Sequence, residues 1–198
     1  MRITPYAMII LLSSFVGAHS QAVPTASQPL QISFFGVGTG TFTGLQGGRN
    51  AGITVGADFE LRSRFSLYPS LETRGTYPVL GGQVDSQKNL LGGLKLTERF
   101  GNLHPYADIL AGRGEITYEN GGYPNPSGTY QYIKTPSLVI SFGVGLEYEI
   151  NDNFAVKGDI QFQHYETPVT GSGSLYAKPI SVGAVYRLHL RHTGLRFR

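Results

Sequence analysis

The chain has 198 residues, of which 40% are hydrophobic and only 15% are charged, and its formal net charge is +3. Soluble enzymes usually carry closer to a quarter charged residues, so this low charge, together with 27 glycines, 12 tyrosines and 11 phenylalanines, favours a membrane β protein. The small net charge gives no support for nucleic-acid binding. Because the chain has no cysteine, disulfides, thiol catalysis and cysteine-based metal sites are excluded.

The N-terminal segment has the layout of a secretory signal peptide. Arg2 precedes the short apolar run Tyr6–Val16, and two small-x-small cleavage sequences follow within Ala18–Ala22. The run is too short for a spanning helix, and no later stretch has the roughly 20 apolar residues that such a helix needs. We predict a signal peptide over residues 1–22 and one exported domain over 23–198. An uncleaved N-terminal membrane anchor is the alternative.

The first predicted strand, Gln31–Phe42, has an ambiguous pattern. Its apolar residues stand at even positions at first, as in Phe34, and at odd positions afterwards, as in Val37. Either a bulge near Gly36 switches the face, or one set of side chains faces a crowded interior. The pattern leaves both readings open. A glycine-rich loop over Thr43–Asn50 is predicted to follow.

Two more strands come next. Ala51–Arg62 alternates cleanly between apolar and polar residues and ends at a short turn, Ser63–Arg64. The third strand covers about Phe65–Tyr77 and contains Pro69, which cannot donate a ladder hydrogen bond, so we expect a local bulge there. Pro78–Ser86 is predicted to be a loop.

The fourth and fifth predicted strands, about Lys88–Phe100 and His104–Thr117, are joined by a short turn at Gly101–Asn102. In both strands, leucine, isoleucine and alanine alternate with polar or small residues, which is a period-two pattern. Tyr118–Thr135 follows. It is rich in glycine, proline, asparagine and tyrosine, and we predict that it is the longest irregular stretch of the chain.

The strictest alternation lies in the sixth and seventh predicted strands, Ser137–Ile150 and Phe154–His164, which flank the turn Asn151–Asn153. Strands of this length are about twice the usual five or six residues. One face is continuously apolar and the other is small or charged, as in a strand with lipid on one side and a polar interior on the other. The loop Glu166–Ser174 and the eighth strand, Leu175–Leu190, complete the pattern.

Eight strands joined alternately by longer loops and short turns predict an all-β fold, an eight-stranded antiparallel up-and-down transmembrane β-barrel. An even strand number places both chain ends on the short-turn side, which we expect to be periplasmic. Aromatic residues on the apolar faces near the strand ends are predicted to form two belts at the membrane interfaces: Phe65, Tyr77, Phe100, Tyr148, Phe154, Phe162 and Tyr176. In a soluble lipocalin-like barrel, by contrast, the apolar faces would point inward and the exterior would be charged.

Two segments carry a family resemblance: GLKLTERFGNLHPYADILAG (Gly93–Gly112) and FGVGLEYEINDNFAVKGDIQF (Phe142–Phe162). Through them the chain resembles the OmpA/OmpX-like eight-stranded outer-membrane β-barrel superfamily over about Gln31–Leu190. The resemblance implies the architecture and implies almost nothing about activity. Such barrels often end on a phenylalanine, whereas here Phe197 is followed by Arg198, so the end of the last strand is not defined by the sequence.

The inward-facing charges have nearly balanced signs. An eight-stranded barrel is just wide enough for side chains to fill it, and charges confined there must pair or stay hydrated. We predict that they form a lumen network of salt bridges and water that plugs the barrel. A gated or narrow conducting path is the alternative. The predicted network consists of Asp58, Glu60, Glu72, Arg74, Lys95, Glu147, Lys157, Asp159 and Arg187.

An enzymatic role is weighed against the sequence around His164. Lipid A deacylases among such barrels use a His-Ser-Glu set, but here Glu166 occupies the position of the serine in a His-x-Ser arrangement. Nucleophilic catalysis needs a hydroxyl within reach of its base, and no pair has the required spacing. His104, His189 and His192 show no metal-ligand spacing. We therefore predict a protein that is not an enzyme, with no catalytic residues, no cofactor and no metal site.

The outer loops are the remaining candidates for function. Tyrosines among small residues, such as Tyr123 and Tyr130, suit adaptable recognition, and they equally suit contact with lipopolysaccharide headgroups, which we favour. The basic tail Arg191–Arg198 either touches anionic headgroups or is a frayed end, and we favour the frayed end.

We expect an integral protein of a Gram-negative-type outer membrane with a structural or surface-interaction role. The expected partners are outer-membrane lipid and lipopolysaccharide, the barrel-assembly machinery during insertion, and an extracellular ligand, of a kind the sequence does not define, through the loops. A small porin-like channel for ions or small solutes is the alternative, followed by a lipid A-modifying enzyme.

Overall fold

A computed structural model describes residues 31–61, 67–82 and 84–189, and in these residues it contains strands and turns but no helix. Eight long strands close into an antiparallel barrel in the order β1-β10-β9-β8-β5-β4-β3-β2, and β6 pairs only with β7. The strands are β1 Gln31–Phe42, β2 Arg49–Glu60, β3 Leu67–Leu80, β4 Asp85–Glu98, β5 Leu103–Tyr118, β6 Tyr123–Pro124, β7 Gln131–Tyr132, β8 Lys134–Glu149, β9 Phe154–Glu166 and β10 Ser174–His189.

The predicted fold class is confirmed, since each long strand pairs with its neighbours along the chain and β1 pairs with β10 to close the cylinder. The signal peptide predicted over 1–22, the turn at 63–64, Phe65 and the tail beyond His189 lie outside the described residues. Within the described residues, no helix is long and apolar enough to cross a membrane.

The register of β1 resolves the ambiguity of its sequence. Its pairing with both β2 and β10 runs without interruption from Gln31 to Phe42, so no bulge switches the face at Gly36. Phe34 is 48% exposed on the outside, whereas Phe35 is 4% exposed on the inside. The second reading is therefore right: the odd-numbered residues of this strand fill a crowded interior.

The bulge predicted at Pro69 is wrong. The β3–β4 pairing passes through Pro69↔Leu96 without a shift. The Pro69 carbonyl accepts a hydrogen bond from the Leu61 amide at 3.1 Å, so the missing N–H of Pro69 falls at the end of the β2–β3 ladder, where little pairing is lost. The register shift of β2–β3 lies at the other end of β2, between Ala51 and Gly52.

Two predicted loops are shorter than expected. β3 continues to Leu80 and β4 begins at Asp85, so only residues 81–84 connect them. The stretch Tyr118–Thr135 is only partly irregular, because β6 and β7 form a small hairpin and β8 already begins at Lys134. Backbone hydrogen bonds such as Tyr118 N–H to Ile133 O, at 2.9 Å, extend the barrel into this region.

The barrel has two distinct ends. The turn end carries the connections β2–β3, β4–β5 and β8–β9, and the loop end carries the other four connections. Outward side chains along the strands are mostly apolar and exposed, whereas the inner side chains are buried. We call the part of the interior nearer the turn end the turn half and the remainder the loop half.

Candidate functional site

Inner-face glycines make the interior of the turn half wide enough for aromatic side chains. A Cβ atom on Gly145 would collide with the ring and hydroxyl of Tyr106, and a Cβ atom on Gly56 would collide with the ring of Phe35. Tyr106 and Phe35 are both buried. The glycines of the alternating pattern therefore leave space on the inner face, and large side chains from other strands occupy it.

Lys95 is the centre of the charged interior. Its Nζ lies 2.6 Å from Glu147 Oε1 and 2.9 Å from Asp58 Oδ2. Asp58 belongs to β2 and Glu147 to β8, and these two strands stand opposite one another in the barrel. One ammonium group therefore connects the two sides of the lumen through charge-assisted hydrogen bonds.

A second set of contacts crosses the lumen from β3 to β9, which also stand opposite one another. Arg74 Nη2 donates to Asp159 Oδ2 at 2.8 Å, and Lys157 Nζ donates to Glu72 Oε2 at 3.4 Å. The Glu72 side chain has no solvent exposure and lies 3.4 Å from Arg74 Nε. Glu72 also joins this set to the first, because its Oε2 lies 3.9 Å from Lys95 Nζ.

At the turn end, Arg187 extends the network toward the mouth of the barrel. Its Nη2 lies 2.8 Å from Glu147 Oε2, and its Nη1 lies 2.8 Å from Glu149 Oε1. Buried His104 contacts the same arginine, with its Nδ1 at 3.2 Å from Arg187 Nη2. All the residues of the predicted lumen network except Glu60 are thereby brought into one connected set; Glu60 pairs instead with Arg99.

Aromatic rings contact the two lysines of the charged lumen network. The Lys157 ammonium lies 3.8 Å from the centre of the Phe35 ring, and the Lys95 ammonium lies 4.2 Å from the centre of the Tyr106 ring. Such cation–π contacts are strengthened where water is excluded. The Tyr106 hydroxyl also donates to Asp159 at 3.0 Å. Sequence reasoning did not assign these two rings to the site, although Phe35 stood at an odd position of β1.

The loop half is built differently. Leu91, Leu110, Ile116 and Val139 form a buried apolar cluster there with Tyr165. The Tyr165 hydroxyl accepts a hydrogen bond from the Asn89 amide at 2.8 Å and donates one to the Gln163 carbonyl oxygen at 3.1 Å. These apolar inward residues were missed by sequence reasoning, which took the inner face to be polar.

Between the two halves, hydroxyl groups form a chain around one side of the wall. Thr39 Oγ1 lies 2.7 Å from Thr54 Oγ1 and 3.0 Å from Ser181 Oγ, and Thr54 lies 2.9 Å from Thr76. The side chains belong to four consecutive strands of the barrel. These hydroxyl groups form hydrogen bonds with hydroxyl groups of the neighbouring strands. The contacts across the lumen are made by the charged residues.

A protein-family profile described as outer membrane protein beta-barrel domain matches residues 8–187. The chain belongs to this family. The closed eight-stranded barrel with its apolar exterior agrees with membership and with a location in the outer membrane. No curated protein sequence matches the chain significantly.

Solved structures similar to this outer-membrane barrel include Neisserial surface protein A, at 12% identity and a TM-score of 0.50 over 79% of this chain and 96% of that one. Ail of Yersinia pestis, solved with the heparin analogue sucrose octasulfate, is 14% identical with a TM-score of 0.50, covering 80% and 97%. The N-terminal barrel of Pseudomonas aeruginosa OprF is 17% identical with a TM-score of 0.41, covering 80% and 97%. At these identities the likeness to the first two structures concerns the fold alone.

The predicted aromatic belts occupy the outer face of the barrel. All members within the described residues are exposed outward, and Phe65 lies outside those residues. Tyr148 and Phe154 flank the β8–β9 turn, whereas Tyr77 and Tyr176 lie toward the loop end. The outer-membrane barrel thus presents aromatic rings near both ends of its apolar wall, the arrangement typical of membrane interfaces.

His164 has a hydroxyl partner that its sequence neighbourhood did not reveal. Its Nε2 lies 3.0 Å from Ser174 Oγ, because β9 pairs with β10, and its ring lies 5.2 Å from that of Tyr176. Among the described residues, no carboxylate contacts the other ring nitrogen. A Ser-His pair without a group that orients the histidine lacks one part of a catalytic triad.

The described residues also contain no group of three or more histidine, aspartate or glutamate side chains placed to hold a metal ion.

Proposed function

We propose that this protein is a structural or surface-interaction component of the outer membrane, with a closed lumen and no enzymatic activity. The loop end faces the exterior and both chain termini face the periplasm. Interactions with lipid, lipopolysaccharide and an external ligand take place on the loops and the outer wall, and the barrel-assembly machinery acts during insertion. A signal peptide over residues 1–22 directs export of the domain.

The observation that carries the closed lumen is the set of contacts across its diameter. Lys95 joins Asp58 to Glu147, and Arg74 of β3 pairs with Asp159 of β9. A solute passing the turn half would have to separate buried ion pairs, which costs about 3–5 kcal/mol when one charge is left without its partner. Above them, the buried side chains of Leu91, Leu110 and Val139 offer no polar groups to replace hydration.

A narrow channel is a second candidate, favoured by one observation. Several buried polar atoms of the turn half have no hydrogen-bond partner among the described residues, including Asp58 Oδ1 and Arg74 Nη1. Such atoms suit contact with water, so the turn half fits a hydrated interior. The apolar cluster around Leu91 and Tyr165 separates it from the loop end, and this separation favours the closed barrel.

Planar-bilayer recordings test the closed lumen. We expect purified protein to give no steady conductance steps, while a large porin in the same apparatus gives steps of ordinary size. Reproducible nanosiemens steps from the wild-type protein, absent from a mock preparation, would establish a channel and refute the plug.

Orientation is tested with single cysteines, because the natural chain has none. We expect Ser127→Cys, in the β6–β7 hairpin, to react with a membrane-impermeant maleimide on intact cells. Asp152→Cys, in the β8–β9 turn, should react only after the outer membrane is permeabilised. The reverse labelling pattern would invert the orientation.

The absence of enzymatic activity is tested with lipid A as substrate. We expect no release of acyl chains by the wild-type protein, and therefore no change on His164→Ala. Acyl release that disappears with His164→Ala or Ser174→Ala would show that the His164–Ser174 pair is catalytic.

A further inference from the structure

We propose that the outer wall of β4, β5 and β8 carries a binding site for the phosphate groups of an outer-leaflet glycolipid, made by Lys88, Arg113 and Lys134 around Glu115. The proposal rests on the orientation given above, with the loop end in the outer leaflet.

The charges of the outer wall are distributed unevenly along the barrel axis. Outward positions from the turn end upward are apolar or small over most of each strand, as in Leu103 to Ala111 of β5. Cations then appear on several strands toward the loop end, at Arg49, Lys88, Arg113, Lys134 and Lys178. An outer wall that becomes cationic at one end fits a leaflet whose headgroups carry negative charge.

The cations of β4, β5 and β8 are held as a group. Lys88 Nζ lies 3.1 Å and Lys134 Nζ lies 3.2 Å from the same oxygen, Glu115 Oε1. The two lysine side chains remain 45% and 57% exposed. One carboxylate therefore positions two ammonium groups, and its single negative charge cannot neutralise both. Each ammonium group still has N–H groups that can donate to another acceptor.

Arg113 supplies the charge that protein contacts leave unpaired. It is exposed on the outer face, and among the described residues no carboxylate lies within ion-pair distance of it. Its direct partners across the two ladders are Leu90 and Leu138, both exposed on the lipid side. Neither leucine can accept a hydrogen bond, so the guanidinium group needs an acceptor from a ligand, a headgroup or interfacial water.

The depth of Arg113 matches a headgroup contact. It follows Leu103, at the turn end of β5, by ten residues. At about 3.3 Å per residue and a strand tilt of about 40°, this separation is roughly 25 Å along the membrane normal, the height of the apolar band of such barrels. The guanidinium group therefore lies at the upper border of the acyl chains.

Two shallow clefts meet at this place. One, of about 310 Å³, is bordered by Leu90, Arg113 and Lys88. The other, of about 250 Å³, lies further toward the loop end, where Lys134 and Tyr77 border it. Both clefts include Lys88 and Glu115. The lower cleft is mostly apolar but is bordered by Arg113 and Lys88, so a lipid can place an acyl chain against Leu90 and a phosphate beside these two cations. The upper cleft is mostly polar, and Glu119 borders it as well as Lys134.

The spread of the three cations favours a headgroup with more than one phosphate. The group carries three positive charges and one negative charge, and its cations lie on three different strands. If the ligand had a single phosphate, bound at Arg113, Glu115 would be the only anionic partner of the two lysines. A bis-phosphorylated glycolipid supplies one phosphate for Arg113 and a second for the lysines. Guanidinium groups suit phosphate because they donate in a fixed fork.

Native mass spectrometry of the refolded protein in detergent tests the proposal. Bis-phosphorylated lipid A, the same lipid A with both phosphates removed, and phosphatidylglycerol are titrated separately. We expect the bis-phosphorylated lipid to bind most tightly. Arg113→Gln should weaken this binding about tenfold, the effect of losing one charge-assisted contact. Lys178→Gln, an outward cation on the other side of the barrel, is the matched control and should not change it.

Equal binding of the phosphorylated and dephosphorylated lipids would refute the proposal, and so would equal weakening by Lys178→Gln. Tighter binding of phosphatidylglycerol would replace the glycolipid by a phospholipid. If Arg113→Gln fails to fold, Lys134→Gln reports on the same group from a position near the loop end. Binding in detergent depends neither on orientation nor on conductance, so this result is independent of the cysteine-labelling and bilayer experiments.

Discussion

The turn half and the loop half of the lumen are filled by different kinds of side chain. Glu72, Lys95 and Lys157 meet in the turn half, and all three are nearly inaccessible to solvent. Leu91 and Tyr165 pack in the loop half, where Asp85 is the buried charge among the described residues. Both halves are closed, but the first depends on pairing of charges and the second on the fit of apolar side chains.

The comparison shows that two kinds of damage should be distinguishable. Removing one charge from the turn half leaves its partners buried and unpaired, and this error cannot be repaired by small shifts. Shortening a side chain in the loop half leaves a cavity that its neighbours can partly fill. Both kinds of damage are measured as changes in the free energy of unfolding from vesicles in urea. Because the chain has no tryptophan, the mobility of unboiled protein on gels is the measurement.

The largest effect is expected from Lys95→Ala. It leaves Asp58 and Glu147 without their shared ammonium group, and we expect a loss of about 3–5 kcal/mol. Lys134→Ala is the control, because that lysine is exposed on the outer wall and should change stability by less than about 1 kcal/mol. Equal effects of the two substitutions would mean that the charged network does not stabilise the turn half.

The next effect compares neighbours on opposite faces of β4. Leu91 is 2% exposed inside the loop half, whereas Leu90 is 69% exposed on the lipid side. We expect Leu91→Ala to cost about 3–4 kcal/mol through lost transfer energy and a cavity. Leu90→Ala should cost less, since lipid chains refill the space. If Leu90→Ala costs as much, the loop half is not tightly packed.

A third prediction concerns the space under Tyr106. Gly145→Ala places a methyl group against the Tyr106 ring, and overpacking of this kind costs about 1–3 kcal/mol. Tyr106→Leu should recover part of that loss in the double variant. The double-mutant cycle measures the coupling; additive effects would show that the glycine is not required by the ring.

The smallest effect is expected from Tyr165→Phe. The substitution removes the hydroxyl that contacts Asn89 and Gln163 but keeps the ring in the apolar cluster, so we expect a loss of about 1 kcal/mol. Tyr176→Phe, on the outer wall, is the control. A loss above that of Leu91→Ala would show that the loop half depends on its polar contacts after all.

Much of this architecture follows from alternation in the sequence. The period of two in Ser137–Ile150 and Phe154–His164 is sufficient to predict long strands and the faces of Glu147 and Lys157, because successive side chains point to opposite sides. It does not predict which charges meet. The partner of Arg74 is Asp159, 85 positions away, and that contact depends on which strands stand opposite after closure.

The remaining differences also have physical reasons. Leu91 and Val139 are apolar residues on the inner face. The expectation that inward residues are polar therefore does not predict the apolar cluster of the loop half. The phenylalanine and valine of β1 were ambiguous because the lumen accepts them beside Gly56 and Gly183. Pro69 is tolerated without a bulge because it lies at a ladder end. Each exception depends on a pairing or contact between strands that the alternation within one strand does not reveal.

The cross-lumen contacts have a consequence for strand register. Because side chains alternate, a slip of β4 by one residue would move Lys95 from the interior into the acyl chains and Leu94 into the charged set. A lysine on the lipid face near the bilayer centre costs about 2–4 kcal/mol, before the loss of its carboxylate partners is counted. Lys95 therefore disfavours misaligned barrels as well as stabilising the aligned one.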